Sequence, residues 1–172
     1  LHSIQSHTLQ MLHGTPYKDD EDYIKRNKYQ TKFRIVPLDF SIIDKQYIFD
    51  VEEVGVATKD MSFEEYVKAR KYLLIVDLCH SSHIFKPLQR YLGQSGVQNS
   101  EWVMAIFRGL EDFPVPLKEI FKSFENDTIG ELWDSKEELV RHYSDPVNYK
   151  KLVTGESGGN VLFKHRALAF SS

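Results

Sequence analysis

Hydrophobic positions in the first third of the chain follow the pattern of extended strands. Residues 33–43 and 47–57 are rich in β-branched and aromatic side chains, and Asp44-Lys-Gln lies between them. This composition predicts two strands or extended segments. Pro37 cannot donate a ladder hydrogen bond, which favours an edge position for the first strand, or an extended wrap over another surface.

A shorter strand is predicted ahead of these two. Apolar and polar residues mix from Ser3 to Leu12, and His13-Gly14-Thr15-Pro16 then stops regular pairing. From Tyr17 to Lys32 the chain is strongly polar, with acidic residues followed by basic ones. This charge pattern predicts an exposed helical turn or a linker.

After residue 60 the apolar residues recur at helical spacing. Ser62-Phe-Glu-Glu65 matches a capping box, in which the Ser62 hydroxyl accepts from the amide of residue 65 and Glu65 reaches back. The apolar stripe then continues to Asp77, which predicts a helix that enters a core. Glycines and prolines separate further predicted helices at about 84–92, 100–110, 117–124, 129–144, 146–153 and 160–170.

The predicted fold is therefore mainly α with a small β portion (α+β). We expect an irregular helical bundle with two or three amino-terminal extended strands. Residues 1–32 would form a terminal strand and a polar linker. Residues 33–172 would form a helical carboxy-terminal domain that includes a short β hairpin or extended segment.

Composition narrows the classes of partner. A formal net charge of −3 and a pI of about 6.2 offer no basic face, so nucleic-acid binding is not expected. Cys79 is the single cysteine, which rules out an intrachain disulfide and favours a reducing, cytoplasmic setting. The longest apolar run, residues 72–76, falls far short of the ~20 residues needed to span a bilayer, so no membrane partner is expected. The amino terminus resembles that of an excised fragment, because it has neither Met nor a signal pattern.

Cys79-His80-Ser81-Ser82-His83 combines residue types that suit zinc or iron. A closed zinc site takes four ligands, usually in two pairs, and no second pair exists in the sequence. The alternative is a helix end with a buried thiol and polar capping residues. A hydrolase that pairs Cys79 with His142 is disfavoured, because the carboxy-terminal end of a helix dipole opposes a thiolate.

Three further features have structural interpretations. Adjacent acids are interpreted as solvated faces rather than acid–base pairs, at Glu52–Glu53, Glu64–Glu65 and Glu137–Glu138. Gly155-Glu-Ser-Gly-Gly lacks the phosphate-loop pattern and predicts a flexible joint. Trp102 and Trp133 lie among apolar residues at helical spacing, which is typical of core or interface anchors.

Two stretches together resemble the region that follows the catalytic core in cobalamin-binding radical S-adenosylmethionine proteins. The first is Leu9-Gln-Met-Leu-His-Gly-Thr-Pro16. The second runs from Glu52 through Met61-Ser-Phe-Glu-Glu-Tyr66 to the segment Leu78-Cys-His-Ser-Ser-His-Ile-Phe-Lys-Pro-Leu88. The resemblance covers roughly the first half of the chain.

The resemblance implies a place in a larger enzyme. Residues 1–32 would include the last strand of a partial (β/α) barrel, and later helices would cap that barrel. The active site of such a barrel lies at the carboxy-terminal ends of its strands. Cofactor-lining candidates are therefore Gln10, His13, Gly14 and Thr15.

The cofactors implied by the resemblance are a [4Fe-4S] cluster, S-adenosylmethionine and possibly cobalamin. Three cysteines in a Cys-x-x-x-Cys-x-x-Cys loop would hold the cluster. One cysteine cannot do so, hence we expect no catalytic residue, metal ligand or cofactor of its own in this chain. The upstream barrel of the same polypeptide would be its partner.

The alternative is a stand-alone helical interaction module without enzymatic activity. Aromatic residues make up 13% of the chain, enough to leave some exposed as anchors. A removed barrel would leave a raw apolar face that a second copy could cover, in a homodimer. The residues expected on that face are Ile4, Leu9, Met11 and Leu12.

Overall fold

A computed structural model describes residue 4 and residues 6–171. Its sheet contains strands β1 (Leu9–Gln10), β2 (Gln30–Ile43) and β3 (Gln46–Ala57), in the order β1-β3-β2. Both pairings are antiparallel, and β3 is central. Helices form most of the remaining chain, so the predicted mainly α fold with a small β portion is confirmed.

The amino-terminal strand is shorter than the predicted range of residues 3–12. Among the described residues of that range, only Leu9 and Gln10 form a strand. Ser3 and Gln5 lie outside the described residues.

The two predicted longer strands form one hairpin. Its turn residues, Asp44 and Lys45, have φ of 49° and 64°, which suits the tight turn that joins twisted antiparallel strands. Pro37 lies on β2, an edge strand, as its missing donor requires. The register shifts around Pro37, between Ile35 and Phe40.

The polar segment after β1 is helical rather than a linker. It contains α1 (Pro16–Asp19) and α2 (Glu21–Asn27), and the Asp20 side chain caps α2 by accepting from the amide of Tyr23. The later helices are α3 (Phe63–Val76), α4 (Lys86–Gln94), α5 (Asn99–Arg108), α6 (Val115–Gly130), α7 (Lys136–Tyr143), α8 (Pro146–Val153) and α9 (Val161–Ser171).

One predicted helix, residues 129–144, is wrong. In the structure α6 ends at Gly130 and α7 begins at Lys136, with the Ser135 side chain accepting from the amide of Glu138. Between the two helices, Trp133 exchanges backbone hydrogen bonds with Phe33 of β2. The cap at Ser135 and this bridge interrupt the apolar periodicity.

The capped helix is confirmed at its first turn. The Ser62 hydroxyl accepts from the amide of Glu65, and the Glu65 carboxylate accepts from the amide of Ser62. The helix then widens into a π-helical turn, Asp77–Ser81, which buries Leu78 and Cys79. Of the helices described, none is long and apolar enough to cross a membrane.

The chain divides into two compact units. The sheet unit comprises residues 8–67 and 127–161, and the helical unit comprises residues 68–126 and 162–171 together with residues 4, 6 and 7. The predicted boundary between residues 32 and 33 falls inside β2. The predicted boundary therefore differs from the boundaries of both units.

Each unit has its own buried residues. The sheet unit has two hydrophobic clusters, one around Ile35, Leu139, Tyr143 and Leu152, the other around Val54, Val56, Tyr66 and Val67. The first cluster packs the hairpin against α7 and α8 through partly buried aromatic side chains, which are Phe33, Phe40, Phe49, Trp133 and Tyr149. In the helical unit, Leu74, Ile75, Phe124 and His165 are fully buried.

Candidate functional site

The four candidate residues occupy β1 and the turn that follows it. Gln10 lies on β1, and His13, Gly14 and Thr15 lie between β1 and α1. Gln10, His13 and Gly14 are exposed and Thr15 is half-buried. This places all four in one short segment at the edge of the sheet.

Asp19 holds the turn in shape. Its carboxylate accepts from the Gly14 amide and contacts His13 Nδ1 at 2.9 Å. The backbone bond from Gly14 and then the bond from His13 lower the pKa of Asp19 below its ordinary value. Gly14 has φ of +88°, a conformation that a side chain would strain, so glycine is required here.

Thr15 and Gln10 each make one side-chain bond to a residue that the structure describes. The Thr15 hydroxyl donates to the carbonyl of Leu12, and Gln10 Nε2 donates to the Glu52 carboxylate. Each side chain keeps an acceptor oxygen that this bond does not use. His13 Nε2 is likewise not used by the bond to Asp19, so the segment can offer both acceptors and a ring nitrogen to a ligand.

β1 attaches to β3 at a position where β3 has no side chain. Leu9 pairs with Gly55, and a Cβ on Gly55 would lie 3.1 Å from Leu9 Cδ2. Met11 continues the contact, because its amide donates to the carbonyl of Glu53 at 2.9 Å and its side chain is buried. On the apolar face that was predicted to be uncovered, the exposed fractions of Leu9 and Leu12 are 37% and 55%.

The paired acids Glu52 and Glu53 do not form the predicted solvated face. Their side chains are only 10% and 19% exposed, and both are ion-paired. Glu53 contacts Lys18 of α1. Burial raises its pKa, but hydrogen bonds from Lys18 and Thr31 outweigh burial and leave the pKa lowered. The other two acidic pairs differ: Glu65 caps α3, and the first turn of α7 exposes Glu137 and Glu138.

Arg34 of β2 is the centre of a polar network that the sequence reasoning missed. Its Nε donates to Glu52 at 2.6 Å, Nη1 to Glu131 at 2.8 Å and Nη2 to the Thr8 hydroxyl at 2.8 Å. The Arg34 side chain is 13% exposed. Burial lowers the pKa of Arg34, but Glu131 and then Glu52 outweigh burial and raise it. The guanidinium therefore remains charged between two carboxylates.

Cys79 has the properties of a structural thiol. It is buried in the π-helical turn, and Gln89 Nε2 donates to its carbonyl at 2.7 Å. Burial raises the pKa of the thiol to about 11, so it remains protonated at neutral pH. His142, its suggested catalytic partner, belongs to the other compact unit and packs on Trp133 with ring centroids 4.8 Å apart.

Metal-ligand residue types are not clustered in the described part of the chain. There, no group of three or more His, Cys, Asp and Glu residues is arranged to hold a metal ion. The segment Gly155-Glu-Ser-Gly-Gly forms turns in which Gly155 and Gly158 have positive φ, of 74° and 67°. At Gly158 a side chain would also meet Leu152 Cδ2 at 2.2 Å, so this glycine allows close packing.

No protein-family model matches this chain, and no curated protein is similar enough to count as a match.

Proposed function

We propose that this chain is the carboxy-terminal accessory region of a radical S-adenosylmethionine enzyme, where it caps the barrel and shapes the substrate entrance. The observation that supports the proposal is the contact between the two stretches that carry the resemblance. Leu9 and Gln10 pair with Gly55 and Val54, and Gln10 also bonds Glu52. Segments about forty residues apart in sequence thus form one site.

The geometry of β1 is compatible with a barrel edge. Strands within a (β/α) barrel are parallel, whereas β3 pairs with β1 in the antiparallel direction. β3 would therefore be an added strand outside the parallel set. A preceding parallel strand would pair with the edge of β1 opposite β3, since β1 is an edge strand of the described sheet.

In this proposal the reactive groups belong to the upstream part of the polypeptide. The [4Fe-4S] cluster, S-adenosylmethionine and possibly cobalamin would bind there, in the cytoplasm, since a single thiol cannot hold a cubane cluster. Gln10, His13, Gly14 and Thr15 would line the cofactor or substrate space. Acceptor oxygens on Gln10 and Thr15 suit the hydroxyl and ammonium groups of S-adenosylmethionine.

The upstream reading frame tests this proposal first. A Cys-x-x-x-Cys-x-x-Cys loop within about 200 residues, the usual span of a barrel, is expected. In that longer polypeptide, Gln10→Ala should weaken S-adenosylmethionine binding roughly three- to tenfold, the cost of one hydrogen bond. Asp134→Asn, an exposed change in the same unit, should have no effect. Absence of the loop rejects the proposal.

A second candidate function, a self-associating interaction module, is favoured by the tip of the hairpin. Three large apolar side chains next to the turn are exposed, namely Ile42 at 51%, Ile43 at 58% and Ile48 at 44%, and Leu38, at the register shift of β2, is exposed at 83%. β2 is also an edge strand, which can pair with a second copy. Sedimentation of the chain should then show a dimer that Ile43→Ser and Ile48→Ser abolish. A monomer at high concentration would reject this candidate.

A further inference from the structure

β1 has little backbone support of its own. It contains two residues, and its register partners are two residues of β3. Leu9, Gln10 and Leu12 are all exposed, so burial of apolar area contributes little beyond Met11. A strand this short and this exposed is expected to detach readily unless side chains hold it.

Two side-chain contacts connect this segment to the interior. Thr8, directly before β1, accepts from Arg34 Nη2 at 2.8 Å. Gln10, on β1 itself, donates to Glu52 Oε2. Both contacts lead to the same buried ion pair, because Glu52 Oε1 accepts from Arg34 Nε at 2.6 Å.

We propose that Thr8, Gln10, Arg34 and Glu52 form a latch that holds β1 against β3 and so positions the turn at residues 13–15. The Glu52 carboxylate is its central member, since each of its oxygens accepts from a different donor. Arg34 is a further positioning residue, which uses separate nitrogens for Glu52 and for Thr8. Glu131 fixes the guanidinium from the end of α6, through Nη1.

The chemistry of the latch makes conservative changes informative. In Glu52→Gln one accepting oxygen becomes an NH₂ donor, so Arg34 and Gln10 no longer each have an oxygen of their own. In Arg34→Lys the charge remains, but the planar fork that reaches two partners in fixed directions is lost. Glu52→Gln keeps the shape of the side chain and removes its charge, whereas Arg34→Lys keeps the charge and shortens the side chain.

Amide hydrogen exchange of this chain tests the latch directly. The reporter is the Met11 amide, bonded to the Glu53 carbonyl, and the reference is the set of β2–β3 ladder amides beyond the register shift, in residues 40–43 and 46–49. Glu52→Gln should raise exchange at Met11 roughly tenfold and change the reference amides by less than about twofold. Asp134→Asn removes an exposed carboxylate from the Lys32 ion pair and should leave both unchanged.

A less destabilising variant keeps the test possible if Glu52→Gln unfolds the chain. Thr8→Val with Gln10→Ala removes both β1-side contacts and leaves the Arg34–Glu52 pair intact. It should also accelerate Met11 exchange selectively. Equal acceleration at Met11 and in the ladder would indicate general destabilisation and overturn the latch, as would no change at Met11.

The consequence for cofactor lining rests on the proposed function, whereas the latch itself does not. In the longer polypeptide Glu52→Gln should weaken S-adenosylmethionine binding, because it displaces the segment that contains Gln10, His13 and Thr15. Selective exchange in this chain without an effect on binding would keep the latch and reject the proposed function. Weakened binding without selective exchange would reject the latch alone.

Discussion

A charged cluster in the sheet unit and a buried histidine in the helical unit have different surroundings. In the sheet unit, Arg34 is charged and shared among several partners, with Glu52 and Glu131 each only 10% exposed. In the helical unit, the fully buried His165 lies with Nε2 3.2 Å from Ser123 Oγ and packs edge-on against Phe124. The comparison teaches that the Arg34 cluster depends on paired charges, whereas His165 is enclosed in part by aromatic packing.

The chain provides a separate optical probe for each unit. Trp133 lies in the sheet unit and Trp102 in the helical unit, and they are its only tryptophans. Trp133→Phe leaves a reporter of the helical unit, and Trp102→Phe leaves a reporter of the sheet unit. Each prediction below can therefore be followed in both units by denaturant titration.

The largest expected effect is on apolar packing in the helical unit. Phe124 is fully buried, so Phe124→Ala should lower the free energy of unfolding reported by Trp102 by about 3–5 kcal/mol. Since no charge is involved, this loss should be the same in low and high salt. A loss below about 1 kcal/mol, or one that depends strongly on salt, would contradict apolar packing as its source.

Removing the central charge of the sheet unit should cost nearly as much. Arg34→Met leaves two buried carboxylates without their shared partner, and we expect a loss of about 3 kcal/mol reported by Trp133. Adding Glu52→Gln and Glu131→Gln to Arg34→Met should recover part of it, because the uncompensated charges disappear. If the triple variant were less stable than Arg34→Met, stranded charge would not be the cause.

Cys79 is a second neutral side chain that is buried in the helical unit. A pKa of about 11, raised from 9.0, leaves roughly a hundredfold less thiolate in the native state at neutral pH. Alkylation of the native chain should therefore be slower than that of the urea-unfolded chain by at least this factor. Comparable rates in both states would contradict a buried, protonated thiol.

The raised pKa of Cys79 also makes the free energy of unfolding depend on pH. Below pH 9.0 both states hold the proton, so stability contributed by the neutral thiol is fully present there. Between pH 9.0 and about 11 the unfolded state loses its proton first, and stability falls. Cys79→Ala should flatten the curve in this window.

Glu53 gives the opposite and smallest pH response, in the sheet unit. Its folded pKa lies below the ordinary 4.5, so the stabilisation is present above pH 4.5 and is lost as pH falls through the folded value. Glu53→Gln should flatten the acid limb of stability reported by Trp133. An unchanged acid limb would mean that the bonds from Lys18 and Thr31 do not favour the charged carboxylate.

The local elements were predictable because their signals are local. The strands predicted from the β-branched and aromatic composition of residues 33–43 and 47–57 are confirmed, as is the Ser62–Glu65 capping box, since each signal lies within a few residues. The helix predicted over residues 129–144 is wrong, because a long-range bridge from Trp133 to Phe33 interrupts a periodic segment. Apolar periodicity alone contains no information about such a bridge.

The candidate site was only partly predictable. The segment from Gln10 to Thr15 was found, but the residues that hold it were not. Extending the pairing of Ile43 with Gln46 along the hairpin would place Arg34 opposite Gly55, whereas the shifted register places it opposite Glu52. Because of the register shift between Ile35 and Phe40, the Arg34–Glu52 ion pair and the burial of Glu52 could not be predicted from the sequence.

The central proposal is that the reactive cofactors bind to the part of the polypeptide upstream of this accessory region. Measurement of the metal content tests it most directly. After purification without oxygen, the longer polypeptide should contain about four irons and four sulfides for each cluster, with broad visible absorption. This chain purified alone should contain neither in stoichiometric amount. Stoichiometric iron in the isolated chain, or a longer polypeptide without iron after reconstitution, would contradict the account.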